Sequence, residues 1–540
     1  MTASTPRGLQ SSRSRADDEG AASGRPDLTA HPNLTVGNPF VHHPLSREPR
    51  SRAVSGLLVL VLTIAAVVVA GSPALAAPAK TSVTASISAR DFIKGETVTI
   101  SGTVKGSRAG KRSVVVERRS GTRWVGAARA TSTAKGAYTV KVRPPGSSTV
   151  AYRVRVAATS TARAATSPTR RIAHYSCVAG AAPTGGMQAV FNRPGAGGAM
   201  LTRMREVVCS AANASQIRVA LYILDTSHTK IAALVRALKS VAVERRVAVT
   251  FVLDSSSGAW TRAAAAELRS FASVTQCYGA CTRSGTDGTM HTKVLALSDS
   301  RWLSRVDPVV VLGSSNWSYR QLYEYWQTMA VFHGDTALYR AHVARFDAMR
   351  RCGGRTCSAG ATTATTDAGR GMSVEFFPRD TGADTTVELL QRVSCTTAST
   401  VDVAMYLVTP ARSRAISREL QRLRTEGCRV RLLVSSGGAY TNSTSALGLV
   451  AQSGVTPRCV NLMHGKFMVL TNVTFDGRPG QTVLQDGSQN WTYGGLRVND
   501  DSTFTLTTST ASARFATSIR ALAAQYSSAW QRIAGAARAC

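Results

Sequence analysis

The chain is poor in acidic residues. Its 31 Asp and Glu residues stand against 65 Lys and Arg residues, which gives a formal net charge of +34 over 540 residues. Such a charge favours anionic partners, among them nucleic acid, an acidic membrane surface and phosphate-bearing substrates. An arginine-rich surface that only keeps a protein soluble is an equally good explanation. The charge alone therefore selects no function.

Cysteine is absent from the first 176 positions, and all ten cysteines lie between Cys177 and Cys540. The chain has no C-x-x-C pair and no Cys/His cluster, which argues against a structural zinc site. An even number of cysteines outside the cytoplasm favours disulfides. Cys277/Cys281 and Cys352/Cys357 are close enough for local loops. The remaining connectivity stays open.

The N-terminal region lacks hydrophobic periodicity. Residues 1–53 are rich in Ser, Pro, Arg and His, which predicts a disordered basic segment. An apolar run, 54–70, follows three arginines and precedes the small-residue sequence Ala74-Leu75-Ala76. This order predicts, over 54–76, a signal peptide cleaved near Ala76 and hence a secreted protein. The alternative is a membrane anchor formed by 54–70, with the rest of the chain outside.

Short stretches of alternating polarity occupy residues 80–172. SVTASISA, ETVTISGTV, RSVVVERR, AYTVKVRPP and TVAYRVRVAA are separated by Gly, Lys and Ser turns. This spacing predicts a small immunoglobulin-like β-sandwich. The segment has no cysteine and no cluster of reactive side chains. We therefore expect a spacer or a surface-binding unit without catalysis.

From residue 174 onward the sequence repeats itself at an offset of about 180 residues. RVALYIL matches DVAMYLV, and Cys209 matches Cys395. Apolar runs alternate with amphipathic helices in both copies, as in an α/β domain. An Ala/Thr/Gly-rich linker, 359–370, separates lobe 1 (174–358) from lobe 2 (371–540). The repeat predicts two pseudo-symmetric lobes, each a mixed sheet flanked by helices.

Each lobe ends with the same reactive grouping, an H-x-K sequence followed by G-S-x-N-W. Histidine can attack phosphorus or donate a proton near neutral pH, and lysine is a compact cation for phosphate oxygen. Residues two apart on a strand share a face, so the two side chains can converge on one ligand. The candidates are His291, Lys293, Ser314 and Asn316 in lobe 1, and His464, Lys466, Ser488 and Asn490 in lobe 2.

A third H-x-K sequence, His228-Thr229-Lys230, has no G-S-x-N partner and matches Arg412-Ser413-Arg414 in lobe 2. We interpret it as a surface or helix-start feature. A purely structural role is also the alternative for a lone H-x-K at His291 or His464. Matching positions in a repeat, each followed by G-S-x-N-W, argue against that alternative.

The doubled H-x-K…G-S-x-N pattern resembles the phospholipase D superfamily over residues 174–540. The resemblance implies that the motifs of two α/β lobes meet at their interface, with no metal and no cofactor. It implies that His291 attacks phosphorus to give a phosphohistidine, and that His464 protonates the leaving oxygen. Water or another alcohol then releases the product. The residues it assigns to the phosphate oxygens are Lys293, Lys466, Asn316 and Asn490, with Ser314 and Ser488 as weaker candidates.

The chain departs from the family pattern at two places. The aspartate expected after each H-x-K is replaced by Ser298 and Thr471. The acid expected eleven residues after the G-S-x-N asparagine is Asp501 in lobe 2 but Gln327 in lobe 1. This acid orients a histidine in the family, so the lobes are unequal. The inequality fits one nucleophile and one acid, and leaves open which histidine is which.

The leading hypothesis is an exported phospholipase D that hydrolyses phospholipid headgroups at an anionic membrane surface. A secreted, metal-independent endonuclease with the same site is the alternative, because a basic exported chain also suits nucleic acid. A catalytically weak protein that binds a surface through the β-module is the second alternative. We expect a monomer in each case.

Overall fold

The computed structural model of the protein describes residues 77–106, 108–283, 287–353, 362–365, 369–379, 381–436 and 442–540. The predicted disordered segment and the predicted signal peptide or anchor lie outside the described residues. Over the ranges described, no helix is both long and apolar enough to cross a membrane.

The regular elements described in the N-terminal module are all strands. They are β1 (Ser82–Val83), β2 (Ser86–Ile87), β3 (Asp91–Phe92), β4 (Val98–Lys105), β5 (Ser113–Ser120), β6 (Arg123–Thr131), β7 (Ala137–Val142), β8 (Val150–Val156), β9 (Ala165–Thr166) and β10 (Arg170–His174). One sheet has the order β1-β4-β2 with β7 beside β4. The other has the order β3-β10-β8-β5-β6 with β9 beside β8. The two sheets share one buried apolar cluster, and the immunoglobulin-like assignment stays a prediction.

The described residues of lobe 1 form seven strands and five α-helices. The strands are β11 (Met187–Asn192), β12 (Gln216–Leu221), β13 (Ala248–Asp254), β14 (Ser273–Cys277), β15 (Lys293–Leu297), β16 (Val309–Gly313) and β17 (Gln327–His333). The helices are α1 (Ala199–Ser210), α2 (Thr229–Arg245), α3 (Ala259–Leu268), α4 (Tyr319–Tyr323) and α5 (Thr336–Cys352). The sheet order is β11-β17-β16-β15-β12-β13-β14.

Lobe 2 repeats this plan with additions at the edges. Its strands are β18 (Thr362–Thr365), β19 (Met372–Phe376), β20 (Val393–Ser394), β21 (Thr400–Met405), β22 (Arg429–Ser435), β23 (Arg458–Val460), β24 (Lys466–Phe475), β25 (Arg478–Gly487), β26 (Ser502–Thr507) and β27 (Arg538–Ala539). Its helices are α6 (Thr385–Gln391), α7 (Pro410–Thr425), α8 (Thr444–Ala451), α9 (Tyr493–Arg497) and α10 (Ala513–Gly535). The sheet order is β18-β19-β26-β25-β24-β21-β22-β23-β27, with β20 beside β24.

Strands β19 to β26 of lobe 2 reproduce the seven-strand order of lobe 1, apart from the small strand β20. In each lobe three neighbouring strands are parallel and the others antiparallel, so both sheets are mixed. This confirms the predicted pair of α/β lobes. Strand β18 falls within the predicted linker, 359–370, and pairs with β19.

The two lobes share a continuous core. One apolar cluster joins side chains of both sheets with helices α5 and α10, and Phe332 packs edge-on against Phe504 with ring centroids 5.1 Å apart. The outer faces of the sheets are covered by α1 to α3 in lobe 1 and by α6 to α8 in lobe 2. Because both faces of each sheet are covered, a central strand can be fully buried and apolar along its whole length, as β16 is.

The module and lobe 1 are joined by ion pairs. Arg236 on α2 contacts Asp91 at 2.6 Å and Glu96 at 3.0 Å, and Lys239 contacts Glu96 at 2.7 Å. One helix of lobe 1 thus contacts the segment that carries β3 and the turn after it.

Disulfides join four pairs whose partners are both described: Cys177–Cys209, Cys277–Cys281, Cys395–Cys428 and Cys459–Cys540. Cys352 is also disulfide-bonded, and Cys357 lies outside the described residues. Cys209 and Cys395 match in the repeat, yet their partners do not correspond.

The Cys459–Cys540 bond closes a loop of 81 residues and ties the C-terminus to β23. Because a crosslink over such a loop restricts the unfolded chain, Cys459→Ala/Cys540→Ala should lower the free energy of unfolding by about 2–5 kcal/mol. Urea denaturation of both proteins without reductant measures the difference. An unchanged transition midpoint would contradict the assignment of this bond.

Candidate active site

The two motif copies lie at equivalent places in the two sheets. Lys293 is the first residue of β15, and Lys466 is the first residue of β24. Each histidine lies two residues earlier, just before its strand. The G-S-x-N segments follow the neighbouring strands β16 and β25. The two motif copies therefore occupy matching positions in the two lobes.

The glycine of each G-S-x-N segment is required by a close approach of two strands. A side chain at Gly313 would collide with the carbonyl oxygen of Thr328, and one at Gly487 would collide with that of Ser502. These carbonyl groups also accept hydrogen bonds from the backbone N–H of the serine after each glycine. The motif turns can therefore lie close to β17 and β26 only with glycine at this position.

A cavity of ≈ 390 Å³ lies between the two motif copies. Both motif histidines and both motif asparagines line it, so the structure brings His291, His464, Asn316 and Asn490 around one space. The other lining residues are Tyr222, Ile223, Gly288, Thr289, Gln321, Tyr325, Tyr406, Leu407, Thr492 and Asn499.

His291 of lobe 1 is oriented by a carboxylate of lobe 2. Its Nδ1 lies 2.7 Å from Oδ1 of Asp501, which is fully buried, and the two residues are 210 positions apart. A carboxylate only accepts, so Nδ1 carries the hydrogen. The lone pair of the neutral ring is then on Nε2, the nitrogen required for nucleophilic attack.

His464 of lobe 2 is oriented in turn by lobe 1. Its Nδ1 lies 3.1 Å from the carbonyl oxygen of Ser314 and 3.2 Å from Oε1 of Gln327. Nζ of Lys466 lies 3.1 Å from the same Nδ1. The two oxygens can only accept, so the hydrogen that they require on Nδ1 leaves Nε2 for proton transfer. The residue eleven places after each G-S-x-N asparagine thus orients the histidine of the opposite lobe. A neutral amide orients His464, whereas a carboxylate orients His291.

The motif serines bind these orienting residues. Ser488 donates to Asp501 at 2.5 Å, and Ser314 donates to Oε1 of Gln327 at 2.6 Å. Both serines are fully buried, and neither is among the cavity-lining residues. Their hydroxyl groups therefore position the residues that orient the histidines.

Both motif lysines are buried beneath the histidines. Nζ of Lys466 donates to the carbonyl oxygen of His464 at 2.7 Å, and Nζ of Lys293 makes the equivalent bond to His291. Each ammonium also lies over a tyrosine ring, Lys293 at 5.3 Å from Tyr222 and Lys466 at 4.9 Å from Tyr406. The tyrosines match in the repeat, but no motif in the sequence assigned them to the site.

The asparagines present amide groups to the cavity. Oδ1 of Asn316 accepts a hydrogen bond from the backbone N–H of Ile223 at 3.2 Å, which directs its Nδ2 hydrogens elsewhere. Oδ1 of Asn490 is buried without a hydrogen-bond partner among the described residues. Amide donors of this kind suit an anionic ligand.

The site is a buried cluster of four bases. Burial and Lys293 lower the pKa of His291 to about 4, while the Asp501 carboxylate opposes this shift. Burial lowers the pKa of Lys293 to about 7, against the attraction of Asp501 and Asp254. Burial and Lys466 hold the pKa of His464 well below its usual range, and burial does the same for Lys466. An anion in the cavity would reverse these shifts.

Asp500 supports the site although no sequence pattern pointed to it. The carbonyl oxygen of this lobe 2 residue accepts from the backbone N–H of His291 at 2.9 Å. Its carboxylate pairs with Arg345 on α5 at 2.9 Å and also accepts from Cys281 and Thr282. This buried pair joins the lobes next to Asp501. The equivalent backbone contact in the other direction runs from His464 to the carbonyl oxygen of Trp326, at 2.9 Å.

His228 has a local structural role. It is the N-cap of α2, where its Nδ1 accepts from the backbone N–H of Lys230 at 3.2 Å. Its ring stacks on Tyr319, with centroids 3.9 Å apart. The predicted helix start is confirmed, and His228 does not line the cavity.

Two regions of the chain, 208–350 and 389–523, match a family model described as cardiolipin synthase, PLD-like domain. They cover just over half of the chain, and each contains one motif copy. The chain belongs to the phospholipase D superfamily. This supports a phosphodiesterase-type function for the site.

Among solved structures, the chain is similar to Nuc, a phospholipase D family member from Salmonella typhimurium. The identity is 15 %, the match covers 31 % of this chain and 97 % of that chain, and the TM-score is 0.24. No curated protein sequence matches the chain.

One departure from the phospholipase D pattern has a local explanation. Ser298, where the family often has aspartate, accepts a hydrogen bond from the backbone N–H of Gln216 on β12 at 2.8 Å. The Ser298 hydroxyl thus accepts the hydrogen bond from the backbone N–H at the start of β12 without adding a charge.

Within the described ranges, no group of three or more His, Cys, Asp or Glu residues is placed to hold a metal ion.

The pKa of His291 predicts the acid limb of the pH–rate profile. Attack requires the neutral ring, so kcat/KM should fall as the pH falls through about 4. Asp501→Asn removes a charge that raises this pKa, so the limb should move to lower pH while kcat falls by about 10²-fold or more. Initial rates between pH 3 and 8 measure both effects, with His228→Ala as the unchanged control. A limb that moves to higher pH would contradict the proposed pairing.

Proposed function

We propose that the protein is an exported phospholipase D that hydrolyses phospholipid headgroup phosphodiesters through a phosphohistidine on His291. The observation that carries this proposal is the cavity, in which two histidines with unequal partners face one another across a space for a single phosphodiester. Both ring Nε2 atoms remain for chemistry because both Nδ1 atoms are engaged.

In the first step Nε2 of His291 attacks phosphorus, and the bond from phosphorus to the leaving oxygen breaks. His464, protonated once the anionic substrate has raised its pKa, gives the Nε2 proton to that oxygen. The amides of Asn316 and Asn490 bind the phosphate oxygens from the cavity wall, and the ammonium groups of Lys293 and Lys466 act from beneath the histidines. They stabilise the charge on the equatorial oxygens.

In the second step the now neutral His464 takes a proton from water, and the resulting hydroxide attacks phosphorus. The bond from phosphorus to Nε2 of His291 breaks, which regenerates the free enzyme and releases the phosphate monoester. An alcohol in place of water gives transfer to a new headgroup by the same proton movements.

The unequal orienting residues support this assignment of roles. The nucleophile's ring becomes positively charged when Nε2 bonds to phosphorus, and the carboxylate of Asp501 stabilises that charge. The acid must give up its proton, and a neutral amide at Gln327 does not oppose this loss as a carboxylate would. His291 is therefore the better nucleophile and His464 the better acid.

The cavity lining favours a lipid headgroup over nucleic acid. Apart from the two histidines, the described lining residues are aromatic, apolar or neutral polar, and none is arginine or lysine. Proteins that bind nucleic acid strands use a basic groove that follows the backbone. Tyr493, next to the lining residue Thr492, is 60 % exposed. An exposed tyrosine at this position suits the interface between lipid and water.

Disulfides support the exported location. Such bonds persist in oxidising compartments outside the cytoplasm. Four disulfides with both partners described, distributed over both lobes, are consistent with secretion or with an anchor that leaves the lobes outside.

A parallel assay of two substrates tests the proposal. The purified protein, in the presence of a chelator, should release choline from phosphatidylcholine vesicles and leave plasmid DNA intact. His291→Ala should abolish this release, because it removes the nucleophile and His464 is still required as the acid, whereas His228→Ala should retain full activity. Plasmid nicking without choline release would instead establish the nuclease, and full activity of His291→Ala would overturn the mechanism.

The phosphohistidine has its own test. A substrate with a p-nitrophenol leaving group needs no acid, so His464→Ala should still give a burst of p-nitrophenol. The second step needs His464 as base, so the phosphorylated protein should accumulate as an acid-labile adduct on the peptide that contains His291. Mass spectrometry after rapid quenching detects it. An adduct on any other residue would contradict the assignment.

A further inference from the structure

The six-stranded sheet of the N-terminal module has one face that is not part of its core. Along β5 and β8, side chains alternate between the two faces, and Val114, Val116, Val154 and Val156 are fully buried. The residues between them point the other way. We call this opposite surface the arginine face, and it consists of Val115, Glu117, Arg119, Trp124, Arg129, Ala151, Arg153, Arg155 and Arg171.

The strand register places these arginines in neighbouring rows. Val115 pairs with Arg155 on one side and with Arg129 on the other. Neighbouring strands are about 4.8 Å apart, so the two guanidinium groups begin from backbones about 10 Å apart. Four of the arginines are exposed: Arg119, Arg129, Arg155 and Arg171. Five arginines and one glutamate give the face four net positive charges.

Glu117 fixes two of these arginines in place. Its carboxylate contacts Nε of Arg153 at 2.7 Å and Nε of Arg155 at 2.9 Å. Burial alone would raise the pKa of Glu117, but the hydrogen bonds from the two arginines outweigh it and the pKa is lowered. The Glu117 side chain is 10 % exposed, whereas that of Arg155 is 47 % exposed. The acid thus lies beneath the arginines, and the positive charge is outermost.

Trp124 lies within the arginine face rather than beside it. The guanidinium carbon of Arg153 lies 4.4 Å from its ring centroid, and that of Arg119 lies 5.9 Å away. Cations therefore occupy positions over the indole ring, where a nucleic acid base would have to stack. The indole remains suited to the polar interface of a bilayer, a region in which tryptophan is enriched.

We propose that the arginine face docks the protein on a bilayer that contains anionic phospholipid. A sheet presents its charges on a broad surface, which matches a planar array of headgroup phosphates better than it matches a single strand of nucleic acid. Basic residues near such a surface are attracted by its negative potential, with about a fivefold gain in binding for each arginine. The ion pairs of Arg236 and Lys239 with the module hold the active-site lobes beside the docked sheet.

Docking does not depend on the proposed reaction, so the test uses the full chain carrying His291→Ala, which leaves the vesicles intact. This protein should sediment with vesicles made of three parts phosphatidylglycerol to seven parts phosphatidylcholine, and concentrated NaCl should release it. Vesicles of phosphatidylcholine alone should bind it far more weakly. Equal binding to both vesicles, or binding that salt does not change, would overturn the proposal.

The decisive variant is Arg119→Gln/Arg129→Gln/Arg171→Gln, which leaves the two arginines paired with Glu117 in place. Its binding to anionic vesicles should fall by about 100-fold. The matched control removes three exposed arginines of lobe 2, as Arg414→Gln/Arg418→Gln/Arg514→Gln, and should bind as the parent does. Equal losses in the two variants would show that total charge, not this face, governs binding.

Two further measurements test whether misfolding explains the loss of binding and whether nucleic acid, rather than lipid, binds to the arginine face. Arg129→Glu alone changes one exposed residue of the edge strand β6 and should still weaken binding by at least about fivefold, with the thermal transition of the parent retained. Binding to a short DNA duplex is measured in parallel. Loss of duplex binding in the triple variant, with vesicle binding intact, would identify the face as a nucleic acid surface and refute lipid docking.

Discussion

The catalytic geometry depends on contacts across the interface of the lobes, through which each lobe orients the histidine of the other. Asp501 of lobe 2 orients His291 of lobe 1, while Gln327 and the Ser314 carbonyl of lobe 1 orient His464 of lobe 2. Neither lobe therefore contains a complete set of reactive and orienting groups. The shared core, with α5 and α10 between the sheets, and the buried Arg345–Asp500 pair keep the two halves in register. Because interiors are close-packed, small displacements of one lobe would misplace both histidines at once.

The electrostatics of the site follow from burying four bases beside few acids. Burial lowers the pKa of all four bases, and neighbouring bases lower it further at His291, His464 and Lys466, so the free enzyme holds fewer protons here than the same groups would in water. A phosphodiester brings the missing negative charge. It favours the protonated lysines that bind its oxygens and the protonated His464 that the first step requires. Substrate binding and preparation of the acid are thus one electrostatic event, whereas His291 keeps its neutral form because its nucleophilic nitrogen faces phosphorus.

Much of this arrangement could be predicted from the sequence, because repetition is visible in it. The nearly constant offset between matching segments predicted two like lobes, and the resemblance carried by the doubled H-x-K…G-S-x-N pattern predicted that the two motif copies meet between them. The exchange between lobes was not predictable in this way. His291 and Asp501 are 210 residues apart, and no local pattern states which histidine an acid will reach. The roles of Asp500 and Arg345 were not predictable for the same reason, since their partners come from distant segments of the chain. Cys209 and Cys395 match in the repeat, but they are bonded to cysteines that do not match, so the repeat does not predict the disulfide pairing.

The positive charge of the protein has two separate roles, one inside the active site and one on the arginine face, and the composition alone does not distinguish them. An overall charge of +34 points to any anion, yet the described lining of the cavity contains no arginine or lysine, and the two motif lysines lie buried beneath the histidines. Charge inside the site therefore serves one phosphate at short range. Charge outside it includes the arginine face, where guanidinium groups stand on a rigid sheet far along the sequence from the reactive residues. Exposed charges act over about a Debye length and are screened by salt, whereas buried ones are screened much less. Attraction to an anionic surface should consequently weaken with ionic strength while the chemical step at His291 does not.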